Sequence, residues 1–426
     1  MKLLSGSVTA RAAFGRPSSW RIVLKTAADA AGKGAMLAIT IVAARRLDGE
    51  SFGVFALAMT SGWLLGVASD AGWSMYLARH TARHPAFARA TALAVLMPRT
   101  AAAGVALVAA SVVAARTVPG PWLRGFLLVT GAQLAGAVLD TIGHLFRGLG
   151  RSEVEATLHA AQRALAIALV LLAVWMRPDL DALGAALLAP PLLAIAVALP
   201  IAASVAPRRP GRAARTFGAI DAAAFVRDVL PIGVATLVSA LYFRCGVFFV
   251  EHWHGLDAAG DYNAVFRLVE AIRLFPAAVL AVTFPVLCRA TSLDALRSLA
   301  SMLTLAGLAI VPCLLAGATV VVTTVYGDAV LPAIPALRVL AIAVPLFFLN
   351  YALTHQVIGW DGHRAYLGVA MSALGANLAA SLWLVPAMGL VGAALATVIT
   401  EAVVTVGCLY VLRTSQLPEA VRAGTA

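Results

Sequence analysis

The chain is 426 residues long, 61% hydrophobic and only 12% charged, with a mean hydropathy of +0.90. That leaves too little polar surface for a water-soluble domain, and the apolar runs reach the ~20 residues a bilayer demands, so composition points to a polytopic membrane protein. The formal charge of +12 does not imply a nucleic-acid partner, because the bases are not interleaved with aromatics on a soluble module and most fall in short loops between apolar runs.

In chain order, residues 1–19 are basic and Ser-rich, with no apolar run of signal-peptide length, and read as an uncleaved cytoplasmic tail. Apolar spans follow at about 20–46, 52–77, 91–115, 122–146, 153–176, 181–205, 224–250, 260–288, 297–325, 332–358, 364–385 and 390–412. The expected fold is therefore all-α, with about twelve transmembrane helices. Their connections are short and carry turn residues, as in Val118-Pro119-Gly120-Pro121, Arg177-Pro178-Asp179 and Tyr326-Gly327-Asp328. With the N-terminus inside, the cytoplasmic segments hold 19 Lys and Arg and the opposite loops 5, which predicts that both termini are cytoplasmic. Seven of the eight Trp fall near a predicted helix end, as an interfacial belt requires, and only Trp63 sits within a span. Cys245, Cys288, Cys313 and Cys408 lie inside spans without metal or disulfide spacing, and read as small buried hydrophobes. No metal or cofactor is implied.

The longest polar link, Ala206 to Ala223, is rich in Pro, Gly and Arg and divides six helices from six. The expected organisation is an N-terminal six-helix lobe over 1–205, a basic cytoplasmic linker over 206–223 and a C-terminal six-helix lobe over 224–426. Two echoes support a repeat. Pro178 followed after five residues by Gly184-Ala185-Ala186-Leu187 recurs as Pro386 followed after five residues by Gly392-Ala393-Ala394-Leu395, an offset of 208. Leu47-Asp48 leading to Phe52-Gly53 is echoed, with one residue inserted, by Leu256-Asp257 leading to Tyr262-Asn263. Six helices return the chain to its starting side, so the halves would be parallel repeats about an axis along the membrane normal, the architecture of carriers that rock around a central cavity.

Seven bases fall inside spans: Lys33, Arg99, Arg163, Arg244, Arg267, Arg273 and Arg338. Five acids join them: Asp29, Asp70, Asp140, Glu270 and Glu401. A charge at mid-bilayer costs at least ~2.5–3.5 kcal/mol, so each needs a partner, a wet cavity or a charged cargo. Asp29 and Lys33 share a helical turn, and Glu270 is three residues from both Arg267 and Arg273, so it can neutralise one and leave the other available. The alternative is a set of closed ion pairs that only fix packing. Bases outnumber acids by two, which favours an anionic cargo. The planar Arg fork binds phosphate oxygens bidentately and Lys adds a point charge, so Lys33, Arg244, Arg267 and Arg273 are candidate ligands of a diphosphate. Asn263, Tyr262, Asn350, Gln356 and Asn377 are candidates for hydrogen bonds to an oligosaccharide, or else are satisfied between helices. Asp29, Glu270 and Glu401 are candidate ion-coupling residues.

Three stretches resemble the bacterial polysaccharide (O-antigen type) flippases, within the MATE-like superfamily that also holds the multidrug exporters and the lipid II flippases. They are Ala43 to Ala58 (AARRLDGESFGVFALA) with Ala68 to Trp73 (ASDAGW); Leu230 to Pro285, with its LPIG, LYFR, GDYNAVFRLVE and closing FP; and Tyr326 to Leu353 with Gly375 to Val403. Relatives often follow the equivalent of Arg244 with an apolar residue and an aspartate, where this chain has Cys245 and Gly246. The resemblance implies a non-enzymatic carrier that moves an undecaprenyl-diphosphate-linked oligosaccharide across the bacterial inner membrane by alternating access. It would work among membrane lipids, beside the polymerase and glycosyltransferases of surface polysaccharide biosynthesis. One alternative is an ion-coupled drug or cation exporter of the same fold, which would bind its cargo through carboxylates. Another is a membrane glycosyltransferase or polymerase, for which Glu251, His252, His254 and Asp257 form the only candidate site. The second-to-third loop lacks the Asp-Arg-x-Gly-Arg signature of major-facilitator carriers.

Overall fold

A computed structural model describes residues 19–206, 225, 229–289, 292–360 and 362–414, except for the side chains of 19–31, 33, 281–282, 285–286 and 289. The expected N-terminal tail and, apart from Ala206, the expected linker over 206–223 lie outside the described residues.

The first half comprises α1 (Ser19–Arg46), α2 (Gly49–Asp70), the short α3 (Trp73–Arg83), α4 (Ala88–Thr117), α5 (Gly120–Gly148), α6 (Ser152–Met176) and α7 (Leu180–Val205). The second half comprises α8 (Leu230–Arg244), α9 (Gly246–Ile272), α10 (Leu274–Arg289), α11 (Asp294–Tyr326), α12 (Ile334–Gly359) and α13 (His363–Thr414). Among the described residues, nine helical stretches are long and apolar enough to cross a membrane, and the protein is a multi-pass membrane protein.

Two of those stretches, Leu230–Leu280 and His363–Thr414, run to 51 and 52 residues. A straight helix of that length would be about 78 Å long, against a hydrocarbon core of about 30 Å. Both double back. Gly255 (φ 85°) interrupts α9 and Gly389 (φ 58°) interrupts α13, each in a conformation that side chains with a Cβ rarely adopt. A Cβ on Gly392 would stand 2.2 Å from the carbonyl oxygen of Leu384, and one on Gly246 would stand 3.3 Å from the Tyr262 hydroxyl, contacts possible only if the chain reverses between them. These reversals fall where the sequence places short loops between spans.

Elsewhere the break lies inside a predicted span. The region expected as one helix over 52–77 divides at Ala71 (φ 42°) and Gly72 (φ 92°) and continues as α3. Asp70 stabilises the break by accepting hydrogen bonds from Gly72 N and Ser74 N at 3.2 Å each, and from the Ser74 hydroxyl. At Pro276 the missing N–H accounts for the interruption between α9 and α10 at Arg273.

Within the bundle α2, α5 and α12 are the most enclosed spans, whereas α4, α6 and α11 lie at the periphery and present residues such as Met97, Val105, Leu305 and Val320 outward. Trp175 and Trp383 are the most exposed tryptophans, each near a helix end. Two of the four cysteines depart from expectation. Cys245 and Cys408 are buried, but Cys288 and Cys313 are exposed, because their helices turn those faces outward; all four are free thiols.

Candidate functional site: an arginine cluster inside the bundle

The reversal at Gly255 determines which charges meet. Arg244 lies eleven residues before it, and Arg267 and Glu270 lie twelve and fifteen residues after it, so the two arms return them to similar depth. Glu270 Oε2 accepts from Arg244 Nη2 at 2.6 Å and from Arg267 Nη1 at 2.8 Å. The second cation on Glu270 is thus Arg244, from the opposite arm, rather than Arg273, three residues along.

Arg273, at the break between α9 and α10, is held by rings instead. Its guanidinium lies 4.1 Å from the Phe243 ring centre, 4.5 Å from Phe347 and 5.3 Å from Tyr351, placements in which the negative ring faces stabilise the cation. Arg244 is sheathed likewise, at 5.2 Å from Phe266, 5.5 Å from Phe243 and 5.8 Å from Trp63. Trp63 belongs to α2, so this last contact joins the two halves of the chain.

Two guanidinium groups therefore share one carboxylate, and a third, Arg273, shares the Phe243 ring with Arg244. Arg244 Nη1, Arg267 Nε and Arg273 Nε are buried donors without a hydrogen-bond partner. Such donors carry a desolvation penalty of ~1–3 kcal/mol each, more when charged, unless an acceptor reaches them. One turn before Arg267 on the same face, Asn263 is buried with both its amide oxygen and amide nitrogen unpartnered. The site thus offers positive charge, convergent donors and one unpaired amide, a donor set suited to an anion rich in acceptor oxygens.

Nearby, Glu401 of α13 is buried and accepts from Asn350 Nδ2 at 2.7 Å, with Arg273 the cation in electrostatic reach. The Asn350 amide oxygen in turn accepts from Thr405 Oγ1 at 2.8 Å. Glu401 and the arginines therefore belong to one neighbourhood. The other polar candidates bridge helices: Tyr262 donates to the Ala393 carbonyl at 3.4 Å, Gln356 to Leu287 at 3.2 Å, and Asn377 to Thr400 at 2.8 Å. The side chains of Asp29 and Lys33 lie outside the described residues; between them on α1, Gly32 abuts the Arg163 guanidinium.

Not every embedded charge joins the cluster. Arg99 is completely buried and donates to Ser69 Oγ at 2.8 Å and Gly66 O at 3.2 Å, with Asp70 at 3.6 Å, so it ties α4 to α2. Asp140 pairs with His159 at 3.5 Å. Arg338, expected inside a span, is exposed on its helix. The outer charged group expected as surface stays separate: His254 Nε2 lies 2.8 Å from the Val385 carbonyl oxygen. Sequence spacing did not reveal the ring of Phe243, Phe266, Phe347 and Tyr351, and the one signal pointing to Trp63 was its position away from the interfacial belt.

A family model described as polysaccharide biosynthesis protein matches residues 22–291, more than half of the chain. The chain belongs to that family. No curated protein matches it. Among solved structures, it is similar to an inward-facing multidrug resistance MATE family transporter of the MOP superfamily, with TM-score 0.67, 16% identity, and coverage of 93% of this chain and 96% of the other. An outward-facing form of such a transporter aligns with TM-score 0.62 and 15% identity over 95% and 96% of the two chains. The lipid II flippase MurJ in an inward closed conformation aligns with TM-score 0.65 and 13% identity over 94% and 89%. The polysaccharide biosynthesis family member thus has the MATE-like fold that its sequence resemblance implies.

Proposed function

We propose that this protein is a flippase that carries a polyprenyl-diphosphate-linked oligosaccharide, on an undecaprenyl chain, from the cytoplasmic to the periplasmic leaflet of the bacterial inner membrane for surface polysaccharide biosynthesis. The single observation that carries the reading is the group of three guanidiniums, two on Glu270 and the third beside them over Phe243, with a buried, unpartnered donor on each. A diphosphate supplies the acceptor oxygens and negative charge that these donors lack, and the prenyl tail stays in lipid. Membership of a polysaccharide biosynthesis family and a fold shared with a lipid II flippase support it.

In this reading the twelve helices form two six-helix lobes, 1–205 and 224–426, joined by the basic linker 206–223, with both termini cytoplasmic. The reversals at Gly255 and Gly389 support the helix count. The lobes rock about the cargo, which Arg244, Arg267, Arg273, Lys33 and Asn263 bind, while Asp29, Glu270 or Glu401 takes the coupling ion. Glycosyltransferases would supply the cargo and a polymerase would consume it, with no covalent chemistry on the carrier itself.

The test is export of surface polysaccharide in a strain lacking its native carrier. Arg267→Ala and Arg273→Ala should abolish export at normal protein level, and full export would remove both residues from the cargo path. Similarity to MATE transporters keeps one second reading, a cation exporter. That protein should tolerate Arg267→Ala and fail when Glu270 or Glu401 is neutralised.

A further inference from the structure

α2 runs alongside the second half of the chain and meets it at both ends. At the outer end, a Cβ on Gly53 would stand 2.1 Å from the Leu256 carbonyl oxygen, and one on Gly260 would stand 2.8 Å from the Phe52 ring. At the other end, a Cβ on Gly233 of α8 would stand 2.6 Å from the Ala71 carbonyl oxygen, and one on Gly72 would stand 2.7 Å from Val229. Backbones this close leave no room for a cargo at either place.

Trp63 is about 15 Å along the helix from Gly53 and about 12 Å from Ala71, at the mid-height of the contact. It is 38% exposed although all ten residues from Ser51 to Thr60 are buried. Its exposed face does not point at the first half of the chain. Gly62 and Gly66 take that direction and pack on Gln133 and Ala137 of α5. Trp63, about 100° around the helix from Gly62, faces the second half, where the Arg244 guanidinium lies 5.8 Å from its ring centre. A large, partly exposed ring therefore lies beside the arginine cluster, on the side of α2 that meets the second half.

We propose that Trp63 is a stacking platform for the first sugar of the cargo, the pyranose ring bonded to the diphosphate. The inference rests on the diphosphate reading of the arginine cluster and adds a subsite to it. A pyranose has one face of axial C–H groups, weakly positive and apolar, which packs flat on the negative face of an indole, while its hydroxyls stay at the rim. In a sugar diphosphate the ring begins one phosphate–oxygen bond from the anionic group, and here the platform begins one guanidinium away from the site that holds that group. The same geometry leaves the unpartnered Asn263 amide to accept from and donate to hydroxyls. Trp63 is thus a specificity residue that distinguishes a glycosylated carrier lipid from the bare diphosphate, which must not be exported empty.

The test measures binding to the full chain in lipid nanodiscs with two probes, polyprenyl diphosphate and polyprenyl diphosphate bearing one N-acetylhexosamine. The unsubstituted protein should bind the sugar-bearing lipid about five- to tenfold more tightly, the range expected of one aromatic stack. Trp63→Leu should bring the two affinities together by weakening the sugar-bearing probe more than the bare diphosphate, and Trp63→Phe should retain part of the preference. Arg267→Ala should weaken both probes in parallel and keep their ratio. Melting temperatures of all variants identify any loss caused by misfolding, and the Phe variant tests the platform should the Leu variant not fold. An unchanged ratio in Trp63→Leu, equal binding of both probes by the unsubstituted protein, or an equal loss for both probes in Trp63→Leu would each overturn the platform. The diphosphate reading fails separately, if Arg267→Ala leaves both affinities untouched.

Discussion

Gly53 of α2 lies directly against Leu256 of α9: a Cβ at Gly53 would stand 2.1 Å from the Leu256 carbonyl oxygen. These residues come from the two stretches that echo one another in sequence, Leu47-Asp48 to Phe52-Gly53 and Leu256-Asp257 to Tyr262-Asn263. The echoed segments are thus each other's partners, and Gly49 against Asp257 and Gly260 against Phe52 complete the contact. Echoed segments that meet face to face are what the proposed pseudo-twofold axis between two halves would produce.

Gly53→Val should therefore force α2 and the reversal of α9 apart, since neither contacting atom is a side-chain tip that can swing away. A bias of ~1.4 kcal/mol towards the separated state changes the population ratio of the two states tenfold, and a carrier stalled in one state does not cycle. Export of surface polysaccharide should fall by at least about tenfold at normal membrane level. A cysteine placed at Ser51 should become more reactive to an impermeant thiol reagent added from outside. Unchanged reactivity would mean that the contact does not seal that end.

Glu270→Ala tests the sharing of one carboxylate by two guanidiniums. Arg244 is almost fully buried, and removing its partner leaves a buried charge uncompensated, which costs ~3–5 kcal/mol. The variant should melt well below the unsubstituted protein. Glu270→Ala combined with Arg244→Leu should regain much of that loss, because the uncompensated charge is removed with its partner. If the single variant melts normally, the pair contributes nothing to the fold.

Much of this arrangement is legible in the sequence, for identifiable reasons. Apolar length and turn residues located α4 to α7, α11, α12 and the two arms of α13 to within a few residues, though not the breaks at Cys245 and Arg273, and i,i+3 spacing put Arg267 and Glu270 together. What periodicity cannot convey is which helix a face meets. The partnering of Arg244 with Glu270 needs the reversal at Gly255, and the rings around Arg273 come from α8 and α12, far apart in the chain. Arg99 and Arg267 look alike as charges within apolar runs. Only the neighbours distinguish them: a hydroxyl, a carbonyl and Asp70 for the first, a carboxylate shared with a second guanidinium for the second. The division of the second predicted span at Ala71 was hidden because the residues beyond it, Trp73 to Leu77, are still apolar enough to continue a helix.

Asp48 caps α2 from the turn after α1, its carboxylate accepting from Ser51 N at 2.9 Å and Ser51 Oγ at 2.7 Å. Burial pushes its pKa up, but the Ser51 donors outweigh that and hold it below the usual 3.8. A carboxyl with a lowered folded pKa adds stability that is complete above its unfolded value and is lost as pH falls through the folded one. Asp48→Ala should cost ~1 kcal/mol at neutral pH, and the gap in melting temperature between variant and unsubstituted protein should close as the solution is made acidic. A gap that persists below the carboxylate range would assign the effect to packing.

Arg99 and Arg267 supply the sharpest contrast between a charge that builds the fold and one proposed to meet the cargo. Arg99→Ala removes the cation that joins α4 to Ser69, Gly66 and Asp70 of α2, leaving a cavity and a carboxylate without its base. It should lower the melting temperature and the amount of protein in the membrane, while each surviving molecule exports at the normal rate. Arg267→Ala leaves Glu270 still bonded to Arg244, so the fold keeps its ion pair and the protein should accumulate normally while export stops. Measuring export per molecule of membrane protein separates the two variants. Should both lose export per molecule to the same degree, the assignment of Arg99 to architecture fails; should both retain it, Arg267 plays no part in transport.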